Sequence, residues 1–267
     1  MIKSFFGWTD TPFRREISTK DLFPSEQHQE LQARLKFMVQ DRSFGLITGE
    51  VGAGKSTAIR ALRDHLKSSQ QYLFLYLSDS SLKPRDFYRE MLLQVGVEPN
   101  FLASDLKRQF KTALLDLFEN QKKTPIVVID EGHLLSPSML QEIRFLTNFH
   151  VDSLSPLALI LVGQPELRER LRLRSLEAIS QRITTRFHLE GIQYEELKGY
   201  ILHHLKVVGE ERQIFTEAAL KRIFTHTRGI LRKTNNVCTS CLLDAVARKQ
   251  QLVDEDSVER VLDDYDL

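Results

Sequence analysis

The chain predicts an α/β fold in which a parallel five-stranded sheet is flanked by helices and followed by a small all-helical region. Three observations carry this. Five short apolar runs alternate with helix-like stretches as far as Leu189. A glycine-rich loop stands between the first run and the helix pattern after it. Beyond Gly191 no strand pattern recurs, and helix patterns follow to the end. Strands separated by helices cannot pair as hairpins, so they pair in parallel and need cover on both faces.

The elements follow in order. An aromatic lead over residues 1–24, with Phe5, Phe6, Trp8 and Pro12-Phe13, reads as irregular chain whose rings pack on the core. It turns polar too quickly for a secretory signal. Leu31, Leu35 and Met38 then recur at helical spacing over Ser25 to Gln40, with Ser25 as N-cap. Strands are expected at Phe44 to Ile47, Tyr72 to Leu77, Ile126 to Ile129, Leu157 to Val162 and Phe187 to Leu189. Between them, helices are expected at Lys55 to Lys67, Pro84 to Gln94, Ser104 to Asn120, Pro137 to Phe149 and Pro165 to Gln181. Three of these open on a proline, which suits a first helical turn because its N–H has no helical partner there. Glu195 to Val207, Glu217 to Thr225, Ile230 to Lys249 and Glu255 to Leu262 read as a helical lid. The expected division is therefore an α/β domain over 1–191 and a lid over 192–267.

Composition sets limits. With 267 residues, 42% hydrophobic and 27% charged, the chain has enough apolar surface for one large core and a smaller one. A net charge of +1 gives no wholesale attraction to nucleic acid or membrane, so any such partner needs a local patch. No apolar stretch approaches the roughly 18 to 20 residues of a membrane span. The two cysteines, Cys238 and Cys241, fit a reducing compartment, and a cytoplasmic location is expected. They lie inside a helix pattern without a second pair, which reads as core and not as a metal site.

Gly49-Glu50-Val51-Gly52-Ala53-Gly54-Lys55-Ser56 satisfies G-x-x-x-x-G-K-[ST], with a strand before it and a helix beginning around Thr57. Glycines let the backbone curl so that successive amides and the helix N-terminus face phosphate oxygens. Lys55 is then expected to reach the β- and γ-phosphates of ATP and Ser56 to ligate Mg²⁺. The run Ile126-Val127-Val128-Ile129 delivers Asp130 and Glu131 to the carboxyl edge of the sheet, where ligands bind in parallel sheets. Asp130 suits the metal and Glu131 suits the base that polarises the attacking water. Gln164, after the fourth apolar run, is either a contact to the γ-phosphate or water, or an ordinary loop residue. Arg182 or Arg186, before the last run, can project into a neighbouring copy's nucleotide. Arg232 stands in the first turn of a helix, where a cation opposes the helix dipole and asks for an anionic partner. His133, close to Asp130 and Glu131, is either a contact to the site or, in the plainer reading, a loop histidine.

These motifs, in this order, resemble those of an AAA+ ATPase, a phosphate-loop NTPase. Phe5-Phe6-Gly7, Pro12-Phe13, Gly49-Glu50-Val51-Gly52 and Leu161-Val162-Gly163-Gln164-Pro165-Glu166-Leu167 are similar to the ExeA family in particular. The resemblance implies Walker A at Gly49 to Ser56, Walker B at Asp130 and Glu131, sensor one at Gln164, an arginine finger at Arg182 or Arg186, and sensor two at Arg232. Gln164 departs from the Asn, Ser or Thr common at sensor one. The resemblance also implies ATP hydrolysis stimulated by DNA or a partner, and assembly into rings or filaments. Two kinds of protein share this core. One is the secretion ATPase, which adds a membrane span and a peptidoglycan-binding domain. The other comprises transposition helpers similar to MuB, TniB and IstB, which assemble on double-stranded DNA and act with a transposase or integrase. A chain ending at Leu267, just after the lid, leads to the expectation of the helper. Lys221, Arg222, Arg228, Arg232 and Lys233 form the candidate DNA surface, largely independent of sequence because no base-reading element stands out.

Overall fold

The computed structural model describes residues 1–79, 81–146, 149 and 154–264. In chain order the elements are α1 Ile2–Phe6, α2 Glu26–Asp41, β1 Phe44–Gly49, α3 Lys55–Leu66, β2 Tyr72–Leu77, α4 Pro84–Val95, α5 Ala103–Glu119, β3 Thr124–Ile129 and α6 Pro137–Leu146. They continue with β4 Ala158–Gly163, α7 Pro165–Leu171, α8 Glu177–Ser180, β5 Thr185–Leu189, α9 Tyr194–Val207, α10 Glu217–Thr227, α11 Leu231–Arg248 and α12 Glu255–Asp263. The chain divides into two units: Glu30–Gly49 with Lys55–Leu189, and Met1–Gln29 with Glu50–Gly54 and the residues from Glu190 onward.

The first of these is the sheet unit. Its five strands run parallel in the order β2-β3-β4-β1-β5. β1 and β4 are buried at every position, as continuous aliphatic runs in a sheet covered on both faces should be. The register pairs Leu77 with Ile129, Ile129 with Leu161 and Thr48 with Gly163, so β2 and β3 end level, β4 and β1 run two to three residues further, and the residues that follow share one edge. β4 lies between β3 and β1, which sets Gln164 between the acidic strand end and the strand that leads into the phosphate loop. One core joins Leu75, Val127, Leu159 and Leu161 of the sheet to Phe87, Met91, Phe110 and Ile143 of the helices.

The other unit is helical. α9, α10, α11 and α12 bury Leu197, Ile201, Ile223, Cys238, Cys241 and Val258 in a second core. Both cysteines are free and buried, in keeping with the core reading. Thr216 caps α10 by accepting from the Ala219 amide at 3.1 Å, and Asp254 caps α12 by accepting from Ser257 at 2.9 Å.

Several expectations are refined. The lead is not wholly irregular: α1 forms and Gly7 ends it in the left-handed conformation at φ 77°. The lead also groups with the helical unit and not with the sheet, because Phe6, Trp8 and Phe13 join the helical core. Trp8 stacks on Phe6 with ring centroids 4.4 Å apart and donates to the buried Glu210 carboxylate at 2.7 Å. The helix expected over 165–181 is broken into α7, a 3₁₀ turn at Arg174–Leu176, and α8. Leu171, Leu176 and Ile179 are all buried, and a spacing of five between the first two cannot keep one helix face. The helix expected over 137–149 is seen as far as Leu146, and positions 147 and 148 lie outside the described residues.

Candidate active site

After Gly49 the loop 50–54 turns through Gly52 at φ 85° and Gly54 at φ 111°, a region that glycine enters without the Cβ penalty. The Ala53 amide donates to Glu50 O at 3.2 Å, and the chain passes directly into α3. Lys55 is buried, and its Nζ donates to Gly49 O at 2.6 Å, which holds the ammonium at the end of β1. Ser56 and Thr57 follow in the first turn of α3.

Asp130 is buried to 4% exposure and accepts from neighbouring donors. Ser56 Oγ donates to its Oδ2 at 3.2 Å, Tyr76 Oη donates to the same oxygen at 2.7 Å, and the Glu131 amide donates to Oδ1 at 2.8 Å. The expected Ser56 and Asp130 pair is thus in direct contact. Burial, and then the Asp130 carboxylate, push the Tyr76 hydroxyl well above its ordinary pKa. Tyr76 lies on the edge strand β2, where Gln94 of α4 takes the place of a further strand. The Tyr76 amide donates to Gln94 Oε1 at 2.9 Å, and Gln94 Nε2 donates to Tyr76 O at 2.9 Å.

A serine hydroxyl beside a carboxylate oxygen is a hard-donor pair suited to Mg²⁺, whose remaining octahedral positions are ordinarily filled by phosphate and water. Among the described residues no group of three or more His, Cys, Asp or Glu could hold a metal alone. A buried cation on Lys55 and a loop of turned amides match polyphosphate chemistry. The residues present therefore fit a magnesium nucleotide.

Glu131 leaves β3 in the left-handed conformation at φ 49°. Its Oε2 lies 3.4 Å from His133 Nδ1, and His133 Nε2 lies 2.9 Å from Gln164 Nε2. Arg170 of α7 binds the turn from below, donating to His133 O and to Leu135 O, the latter at 2.6 Å. Glu131 and Gln164 thus come together through His133. Tyr76, Gln94 and Arg170 belong to no motif in the sequence. The only signal for Tyr76 was a hydroxyl near the end of an otherwise apolar strand.

The arginines differ. Arg182 Nη1 donates to Arg144 O at 3.2 Å, and Arg186 Nη2 donates to Ser180 O at 2.6 Å and Ser180 Oγ at 2.8 Å. Neither bonds to Lys55, Ser56, Asp130 or Glu131 in these interactions. Within the helical unit, the Arg232 amide donates to Gly52 O at 3.1 Å. A Cβ at Gly52 would lie 2.4 Å from Arg232 Cβ, so glycine is required there for packing as well as for φ.

A strand–phosphate loop–helix unit, a parallel sheet that presents adjoining acids and Gln164 on one edge, and a helical unit together define an AAA-type nucleoside-triphosphatase module. A family model described as "AAA domain" matches residues 38–171, and the chain belongs to that family. The chain is 35% identical over 251 residues to General secretion pathway protein A of Aeromonas hydrophila, covering 93% of this chain and 45% of that protein. The chain thus spans less than half of that relative's length. Among solved structures it is similar to Drosophila ORC bound to DNA, with TM-score 0.70, 18% identity, and coverage of 94% of this chain and 63% of that one. CDC6P from Pyrobaculum aerophilum gives TM-score 0.67 at 15% identity, covering 94% and 68%. The Thermotoga maritima RuvB Holliday junction branch migration motor gives 0.59 at 16%, covering 88% and 68%. At these identities the likeness is one of fold alone. Among the described residues no helix is long and apolar enough to cross a membrane.

Proposed function

We propose that the chain is an ATPase that binds ATP and Mg²⁺ at Gly49 to Thr57 and Asp130 and hydrolyses the γ-phosphate with Glu131 as base. The observation that carries this is the contact of Ser56 with the buried Asp130, in a chain whose neighbouring Lys55 is also buried. When bound at Ser56 and Asp130, the metal would supply positive charge to the phosphate oxygens. Lys55 draws negative charge from the terminal phosphates, and the loop amides fix the phosphates' position. Glu131, with its carboxylate 45% exposed, is open to a water whose proton it accepts. Gln164 orients that water or the γ-phosphate. Arg182 or Arg186 reaches the nucleotide of a neighbouring copy in a ring or filament, and Arg232 reports γ-phosphate occupancy to the helical unit. The test uses two variants: Lys55→Ala should lose nucleotide binding, and Glu131→Gln should keep binding while turnover falls by about 10²-fold or more. Parent-like hydrolysis by Glu131→Gln would remove Glu131 as the base.

Two outputs for this ATPase are supported by different observations. Similarity to General secretion pathway protein A over 93% of the chain supports work in a secretion or envelope-assembly complex. The exposed Lys221, Arg228, Arg232 and Lys233 support the second, nucleotide-controlled assembly on double-stranded DNA with a transposase as client. Arg222 adds less to that surface because it is paired with Glu259 at 2.7 Å. Retention of random duplex DNA in the presence of ATP, lost steeply as salt rises, selects the second output. Its absence, with ATP turnover intact, selects the first.

A further inference from the structure

We propose that His133 is a positioning residue that fixes the Glu131 carboxylate, with its own tautomer set by Gln164. The inference rests on the reading of Glu131 as the hydrolytic base. Gln164 Nε2 lies 2.9 Å from His133 Nε2, and an amide nitrogen only donates. With the Gln164 amide in this orientation Nε2 accepts, which leaves the ring proton on Nδ1. That nitrogen is buried without a hydrogen-bonding partner among the described residues, and it faces Glu131 Oε2 at 3.4 Å. A small rotation of the carboxylate converts this approach into an N–H···O bond.

The two side chains are unequal partners. His133 is 13% exposed at its side chain and Glu131 is 45% exposed, so the ring is the fixed member and the carboxylate the adjustable one. The ring is fixed from two directions by one helix. Gln164 stands at the N-cap of α7, and Arg170 within α7 holds the carbonyls of His133 and Leu135. The turn also sits hard against β4: a Cβ at Gly132 would meet Leu161 Cδ1 at 2.7 Å and Val162 O at 3.1 Å. The main chain of Glu131 is anchored by the bond from its amide to Asp130 Oδ1 at 2.8 Å. What remains free is the carboxylate's orientation, and His133 Nδ1 is the group placed to set it. A shared neighbour also gives Gln164 a route to the base that does not require its amide to touch the water.

A purely space-filling histidine would lie in the same place, so the test must separate the two roles. The full chain is compared with His133→Ala, Gln164→Ala, the double variant, His133→Asn and Glu131→Gln. Steady-state kcat and KM are read alongside affinity for a fluorescent, slowly hydrolysed ATP analogue with Mg²⁺. His133→Ala should lower kcat by at least about tenfold, since small misplacement of a reacting group is costly, while analogue affinity stays within about threefold. In the Gln164→Ala background the same change should cost less than about threefold more, because the two act through one chain. His133→Asn, whose Nδ2 falls where Nδ1 stands and can donate to Glu131, should recover most of the loss. Should His133→Ala fail to fold, His133→Leu, which fills the space without a donor, takes its place in the cycle. Multiplying losses, or equal losses in kcat and affinity, would overturn the proposal. Parent-like kcat in His133→Ala would overturn it too. A parent-like Glu131→Gln would instead overturn the underlying assignment of the base, a result distinct from all of these.

Discussion

Tyr76→Phe deletes one oxygen and isolates the worth of the least expected contact at the site. Asp130 is 4% exposed, and its Oδ2 accepts from Tyr76 at 2.7 Å and from Ser56 at 3.2 Å. The tyrosine bond is the shorter of the two, and hydrogen bonds to charged groups contribute about 1.5–3 kcal/mol net. Water cannot reach an oxygen this enclosed without cost, so the sheet unit should lose about 1.5–3 kcal/mol, towards the upper figure where the vacated space stays dry. Glu169→Gln is the control. Glu169 and Arg172 form a 2.9 Å ion pair with side chains 65% and 59% exposed, and such pairs are worth less than about 1 kcal/mol. Urea unfolding of the full chain, followed by far-UV circular dichroism, should show a clear fall in midpoint for Tyr76→Phe and almost none for Glu169→Gln. Equal midpoints with unchanged slope would show that the Tyr76 hydroxyl does not stabilise Asp130, and burial would lose its place in the reasoning.

Other outcomes follow from the same geometry. Gly52→Ala forces an L residue to φ 85° with a Cβ 2.4 Å from Arg232 Cβ. Strain of about 1–2 kcal/mol carried by the loop corresponds to roughly tenfold weaker binding of an ATP analogue, read by fluorescence anisotropy. Glu210 is held down at about 2, first by hydrogen bonds from Arg212 and then by Trp8. Its folded value lies below the unfolded one, so its stabilisation is full above about pH 4.3 and is lost as pH falls towards 2. Arg212→Ala should raise the acid midpoint reported by Trp8 fluorescence, and an unmoved midpoint refutes the link. His204 is pushed down to about 4 by burial and then by His203. A buried neutral imidazole stabilises fully above about pH 6.5, and that stabilisation is lost as pH falls towards 4, so His204→Phe should flatten stability across this window.

Much of the fold was legible because its signals are local. β1, β3 and β4 are short, largely apolar runs of the kind a doubly covered parallel sheet buries, and prolines mark the starts of α4, α6 and α7. The two misjudged stretches are those where the period misleads. Residues 165–181 carry a dense leucine pattern, yet Leu173 turns outward with ψ 137° and is 56% exposed, which splits the helix. The lead had no usable period at all. Its order comes from Trp8 meeting Glu210, 202 positions away, a contact that no window on the sequence contains.

The site divides along the same line. Lys55, Ser56, Asp130 and Glu131 were readable because the chemistry of phosphate and metal fixes their spacing within short motifs. Tyr76, Gln94, His133 and Arg170 act only through register and packing. Tyr76 is opposite Val128 on β3, one residue before the strand ends, which puts its hydroxyl on Asp130. His133 gains its role from the order of the strands. Because β4 lies beside β3, the residue after β4 and the turn after β3 are neighbours, and Gln164 meets an imidazole 31 positions earlier. A different sheet order with the same motifs would have kept the phosphate loop and the acids while breaking this link. For the acids that do the chemistry, sequence suffices; for the groups that hold them in line, the order of the strands decides.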